Sequence, residues 1–232
     1  MPFRVKIIPP IQVTERDLQR RQRRYRERAA PETHIAVCDL PEGPPMLYTH
    51  DDLTHSDEAV LREGARTTAA QADAILVDCI FDPSVEEVQA RTGLPTFGPL
   101  RTTLPLLSLV AKRFAIIAAL ECHCEPLADI VARYGYGASL AAVRSLGESY
   151  PATADDYVAS MQAQLTAVRQ AGAEAVILGS TTMSAREEIR AAADGMPLVL
   201  TGMVTLGVME SMWRDGLLAK RAFPASHPRR RQ

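Results

Sequence analysis

The chain has 232 residues, 47% of them apolar and 23% charged, and 26 Lys and Arg against 28 Asp and Glu leave a formal charge of −2. That is the balance of an ordinary soluble chain long enough to bury a large core, and no apolar run approaches the roughly 18 to 20 residues that a membrane-spanning helix needs. With four cysteines and no signal-peptide core after Met1-Pro2-Phe3, the expectation is a cytoplasmic protein with reduced thiols, not a disulfide framework.

Taken in order, the first strand-like run is Val5 to Ile8, ending in the turn Pro9-Pro10-Ile11. Glu15 to Ala29 has helical spacing and carries seven arginines (Arg16, Arg20, Arg21, Arg23, Arg24, Arg26 and Arg28), and Arg229, Arg230 and Arg231 close the chain. Glu15, Asp17 and Glu27 break up that charge and Tyr25 is its one aromatic, which favours a solvated or subunit-facing helix over a nucleic-acid surface. Ile35 to Cys38 is the next strand, with Cys38 in the core, and a polar loop bearing Tyr48, His50, Asp51, Asp52 and His55 leads to a helix over Asp57 to Gln71. Strands then follow at Ala74 to Cys79, Thr96 to Phe97, Phe114 to Leu120, Ala175 to Gly179 and Leu198 to Leu200. Helices are predicted at Ser84 to Thr92, Thr103 to Val110, Pro126 to Tyr134, Ala154 to Ala171, Ala185 to Ala193 and Thr205 to Lys220. The Tyr134 to Gly137 and Gly147 to Pro151 stretches have turn chemistry, and residues 225–232 are expected to form a flexible basic tail. Continuous apolar strands alternating with helices indicate α/β architecture with mainly parallel sheets, in which ligands bind beyond the carboxyl ends of the strands.

The chain repeats itself at a distance of about a hundred residues. Ala72-Asp73-Ala74-Ile75-Leu76-Val77-Asp78-Cys79 matches Ala173-Glu174-Ala175-Val176-Ile177-Leu178-Gly179-Ser180. Gly93-Leu94-Pro95 answers Gly195-Met196-Pro197, and Phe3 to Ile8 answers Arg113 to Ile117. Two copies imply two pseudo-symmetric lobes: residues 1–98 with 202–232 forming the first, residues 99–201 the second, and one residue from each facing an active site between the lobes. At that position Cys79 in the first copy corresponds to Ser180 in the second.

Cys79 is expected at a strand's carboxyl end near a helix start, where the helix dipole favours thiolate for use as nucleophile, base or metal ligand. Ser180, Thr181 and Thr182 are placed to hydrogen-bond a carboxylate or ring carbonyl, with Pro10, Ile11 and Thr201 at further strand ends. Glu121-Cys122-His123-Cys124-Glu125 supplies thiolates and an imidazole that suit zinc. In extended chain Cys122 and Cys124 point one way and Glu121 and His123 the other, so Cys79 joins either pair.

These residues resemble the Asp/Glu/hydantoin racemase superfamily, in particular its hydantoin and allantoin racemase branch. The likeness rests on Ile8-Pro9-Pro10, Asp73 to Cys79 with Asp82-Pro83, Arg113 to Ile117 and Ala175 to Gly179. It implies an Asp/Glu racemase-like fold, a self-associating enzyme, and a small hydantoin-like ring or carboxylic acid as substrate, with no nucleic acid or membrane partner. It also implies that two cysteines exchange the α-proton on opposite faces of the substrate. Ser180 stands where the second belongs, and a hydroxyl is a poor partner for a carbon-bound proton. The reading taken from these departures is a zinc-dependent hydrolase or desulfhydrase that replaces the sulfur of a 2-thiohydantoin acid by oxygen and releases sulfide. Cys79 and Glu121 would be catalytic, and the metal would be held by Cys79, Cys122, Cys124 and His123. The alternatives are a cofactor-independent racemase, isomerase or decarboxylase with Cys79 as its single acid/base thiol, and a non-catalytic metal- or metabolite-binding protein.

Overall fold

Each half of the chain winds four strands into a parallel sheet of the same order. The computed structural model describes residues 2–181 and 183–218. In the first half β1 (Phe3–Ile8), β2 (Thr33–Val37), β3 (Ala74–Val77) and β4 (Thr96–Phe97) lie in the order β2-β1-β3-β4. In the second, β5 (Phe114–Ala118), β6 (Leu140–Ser145), β7 (Ala175–Gly179) and β8 (Leu198–Leu200) lie in the order β6-β5-β7-β8. Every pairing is parallel, so each crossover carries a helix, as parallel connection requires.

The chain divides into two compact units. One takes its described residues from Met1–Asp78, Asp82–Gly98 and Thr205–Gln232, the other from Cys79–Phe81 and Pro99–Val204. The helices are α1 (Glu15–Arg28), α2 (His50–Ala65), α3 (Val85–Thr92), α4 (Pro99–Leu107), α5 (Cys124–Arg133), α6 (Ala154–Gln170), α7 (Glu187–Ala193) and α8 (Thr201–Arg214). In the first unit β1 and β3 are buried almost throughout, and Trp213 of α8 stacks on Phe3 at 4.8 Å.

The second unit shows why its central strands are apolar without alternation. Ala115, Ile117, Val176 and Leu178 pack against Tyr157, Met161, Leu165 and Ile189 from α6 and α7. The intervening Phe114, Ile116, Ala175 and Ile177 pack against Leu100, Leu104, Leu127 and Val131 from α4 and α5. Successive side chains point to opposite faces of a sheet, and here both faces are covered.

The duplication extends to individual hydrogen bonds. Asp73 N–H donates to Arg4 O at 2.8 Å and Glu174 N–H to Arg113 O at 2.9 Å; Ile75 N–H donates to Pro95 O and Val176 N–H to Pro197 O, both at 2.9 Å. The acid before each strand is also functional in the fold. Asp73 Oδ2 accepts from Arg4 N–H at 3.0 Å, and Glu174 Oε2 from Lys112 N–H at 2.7 Å.

Several elements depart from the sequence expectation, β6, α2 and α4 among them. β6 lies between the two turn stretches, where no strand is predicted; it is an edge strand, half-exposed and alanine-rich, with Val143 its one β-branched residue. Helix α2 begins at His50, because Thr49 and Asp52 form a reciprocal capping box, a stronger start signal than the apolar spacing farther on. Helix α4 begins at Pro99, a residue suited to a first helical turn, where its missing N–H costs no hydrogen bond. Among the described residues no helix is long and apolar enough to cross a membrane.

Candidate functional site

The segment that follows β3 is buried and held by side-chain hydrogen bonds. Cys79 is 4% exposed, at the carboxyl end of a strand that is buried at every position. Asp78, immediately before it, is 2% exposed and takes two hydrogen bonds from α1: Tyr25 Oη–H at 2.5 Å and Arg21 Nη1–H at 2.7 Å. Arg21 Nε–H donates on to Asp17 Oδ2 at 2.8 Å, and the Asp78 backbone N–H donates to Ile8 O at 2.8 Å. Burial disfavours the charge on Arg21, but Asp78 and Asp17 outweigh it and hold the guanidinium pKa above its ordinary value. Burial, then the negative charge of Asp78, push the Tyr25 hydroxyl well above the usual tyrosine range.

Past Cys79 the backbone turns sharply. Asp82 and Ser84 both have positive φ, 51° and 49°, a conformation that non-glycine residues hold only where their surroundings over-determine it. Asp82 is buried against Gly98 so closely that a Cβ at residue 98 would sit 2.4 Å from the Asp82 carboxyl carbon. The Ser84 hydroxyl donates to Asp57 O at 2.9 Å. Helix α3 thus starts only at Val85, with this turn intervening between its first residue and Cys79. At the end of β1, Pro10 is buried and its carbonyl accepts from the Ser56 hydroxyl at 2.7 Å, and Ile11 is half-buried.

In the second copy Ser180 is half-buried directly after β7, and its carbonyl accepts from Met183 N–H at 3.1 Å in a short turn. Thr181 is buried, while Thr182 lies outside the described residues. The loop is tied down by Tyr157, whose hydroxyl donates to Ser184 O at 2.9 Å. Thr201, 1% exposed, opens α8 immediately after β8.

The Glu121 to Cys124 cluster does not form the expected zinc centre. Glu121–His123 make a single 3₁₀ turn that runs into α5, so their side chains radiate around a helical axis instead of alternating as in extended chain. Glu121 is exposed, takes the Ser145 hydroxyl on its carboxylate, and donates its backbone N–H to Gly147 O at 2.9 Å. Cys122 is exposed, and His123 meets the Phe81 ring edge-to-face at 5.2 Å and 83°. Cys124 packs against the α4/α5 core, and burial, followed by the charge of Glu121, raises its thiol pKa. Among the described residues no group of three or more His, Cys, Asp or Glu comes together as a cation site. The assignment of Cys79, Cys122, Cys124 and His123 as zinc ligands is therefore corrected.

His50 and His55 are exposed on α2, and Cys38 is half-buried, its thiol pushed up by burial to about 12. The Arg21–Tyr25–Asp78 set is not anticipated by the sequence, in which α1 has the composition of a solvated or subunit-facing helix. The available signals were an acid inside an apolar strand run, and Asp17, Arg21 and Tyr25 at four-residue spacing on one helix.

The comparisons with known proteins agree with this architecture. A family model described as Asp/Glu/Hydantoin racemase matches residues 12–207. The hydantoin racemase of Rhizobium meliloti is 22% identical over 201 residues, covering 85% of this chain and 83% of its own. That of Paenarthrobacter aurescens is 26% identical over 205 residues, covering 86% and 87%. The allantoin racemase of Pseudomonas fluorescens superposes with a TM-score of 0.83 at 20% identity, covering 99% of each chain. A match to a racemase family over most of the chain overturns the expectation of a zinc-dependent hydrolase or desulfhydrase.

Proposed function

The chain belongs to the Asp/Glu/hydantoin racemase family, and on that premise we propose that it is a cofactor-independent isomerase or racemase. Its substrate would be a small hydantoin-like ring or carboxylic acid, and Cys79 its acid/base thiol. The observation that carries the reading is the duplication itself. Cys79 and Ser180 follow equivalent strands, β3 and β7, third in sequence and in the same place in sheets of identical order. A proton on carbon next to a carbonyl is removed by a base while the carbonyl oxygen takes up the developing charge, and hydroxyl donors stabilise that charge. Cys79 serves as the base and returns the proton as S–H; Ser180, Thr181 and Thr182 bind the carbonyl or carboxylate, with Thr201 framing the substrate.

A single thiol favours a second version of the same chemistry. Where a carboxylate leaves as carbon dioxide, its bonding electrons pass to the enolate, and one protonation by Cys79 completes the reaction on one face. Decarboxylation and one-sided exchange therefore need only the residue that this chain keeps.

The test is proton exchange in deuterium oxide with one enantiomer of 5-isopropylhydantoin, followed by proton NMR and optical rotation, with EDTA present throughout. Deuterium at C5 with loss of rotation supports racemisation, and deuterium with retained rotation supports one-sided exchange. Both are expected to vanish in Cys79→Ala. Full exchange by that variant would refute the role of Cys79.

A further inference from the structure

We propose that the buried pair Asp78–Arg21, completed by Tyr25, is a positioning device that sets the thiol of Cys79 for proton transfer. The inference rests on the reading of Cys79 as the acid/base group. Three residues, Cys79-Ile80-Phe81, separate two buried aspartates, Asp78 and Asp82. Each aspartate side chain is fixed by contacts beyond the regular strand ladder.

At the first anchor both carboxylate oxygens of Asp78 are engaged by α1, one by Tyr25 and the other by Arg21, while the backbone N–H is held by Ile8. A carboxylate with donors on both oxygens has little rotational freedom, and its backbone is tied to β1 in addition. At the second anchor Asp82 sits in the left-handed region with its carboxyl group against Gly98, where no side chain larger than hydrogen fits.

A purely structural solution was available and is used in the other copy of the repeat. At the position of Asp78 the second copy has Gly179, lying close against β5 with no polar side chain at all. The copy that ends in a thiol carries a buried acid, an arginine and a tyrosine; the copy that ends in a hydroxyl carries glycine. Buried ion pairs contribute little net stability compared with apolar residues of similar volume, so their presence beside only one of two equivalent strand ends points to geometry at Cys79.

The test separates packing from positioning. In Tyr25→Phe, and in Arg21→Met, a donor to Asp78 is lost; the triple variant Arg21→Met/Tyr25→Phe/Asp78→Leu replaces the whole network by apolar groups of similar size. Arg21→Met alone strands a buried carboxylate and is expected to lower Tm by roughly 10 °C. The triple variant is expected to recover that Tm yet exchange the hydantoin proton about a hundredfold more slowly, with KM unchanged within about threefold. Tyr25→Phe, which keeps the ion pair and the fold, is expected to show a smaller loss in kcat of about tenfold. A second readout needs no substrate: alkylation of Cys79 by iodoacetamide, measured by peptide mass spectrometry with exposed Cys122 as internal reference, changes at least about fivefold in the triple variant. Wild-type exchange and wild-type Cys79 alkylation in a stable triple variant would overturn the proposal. Full exchange by Cys79→Ala would instead remove the reading of Cys79 on which it rests, so the two failures are distinguishable.

Discussion

Replacing Gly179 by alanine tests the packing that holds the second strand end. Gly179 is the last residue of β7, paired with Ala118 of β5. An added Cβ would lie 2.8 Å from the carbonyl oxygen of Ile117, 3.0 Å from Ala118 Cα and 3.0 Å from Ile116 Cγ2. Two of those three atoms belong to the backbone of a strand bonded on both sides, by β6 and β7, so they do not move aside as a side-chain tip does. Overpacking of this kind costs about 2 to 3 kcal/mol, and the reduced freedom of alanine in the unfolded chain offsets only about 0.5 to 1 kcal/mol of it. The net loss of about 1 to 2.5 kcal/mol corresponds to a Tm lower by roughly 2 to 10 °C for a chain of this size. Differential scanning calorimetry at neutral pH reads it directly. The internal control is Gly207→Ala on an exposed turn of α8, where an added Cβ meets nothing within 4 Å; there alanine raises helix stability by about 0.5 to 1 kcal/mol. A Gly179→Ala protein as stable as wild type would refute the account of β7 packing.

Further outcomes follow from individual groups. Asp73 accepts from Arg4 through its backbone N–H, Nε and Nη2, so Asp73→Asn is expected to cost about 1 to 3 kcal/mol. Glu174→Gln, which perturbs only the exposed bond from Lys112 N–H, should cost less, and calorimetry of the two variants side by side checks the order. Burial alone would raise the Asp17 pKa, but hydrogen bonds and charge from Arg21 and Arg20 hold it below 3.8. Its stabilising contribution is therefore complete above that pH and is lost as pH falls through the folded value. Urea titrations of wild type and Asp17→Asn should converge only below about pH 3.8. Burial raises the Cys38 thiol from 9.0 to about 12, so the unfolded chain ionises first and stability falls as pH rises from 9.0 toward 12. Cys38→Ala should flatten that part of a pH–stability curve; an unchanged slope would show that Cys38 is not responsible.

The order of strands and helices was legible because it is written in local patterns. Continuous apolar runs flanked by helical spacing mark β1, β3, β5 and β7, and the match of residues 72–79 to residues 173–180 predicts that β3 and β7 occupy equivalent places. The same pattern singled out Cys79 and Ser180 as the strand-end residues of the two copies, since chain order alone puts them there. β6 escaped because an edge strand, half-exposed, needs no apolar run.

What depends on direction in space was settled only by the fold. Whether Glu121, Cys122, His123 and Cys124 converge is a matter of backbone torsion, and a 3₁₀ turn in place of extended chain sends them apart. Arg21 lies 57 residues from Asp78, and nothing in the sequence near either names the other. The arginine-rich α1 looks solvated residue by residue, yet its Arg21 and Tyr25 are buried against a carboxylate. Burial of charge is a property of partners brought together by tertiary packing. The repeat, the parallel α/β order and the thiol at the end of β3 are written along the chain as hydrophobic periodicity; which polar groups meet emerges only on packing, because hydrogen bonds and ion pairs act across space.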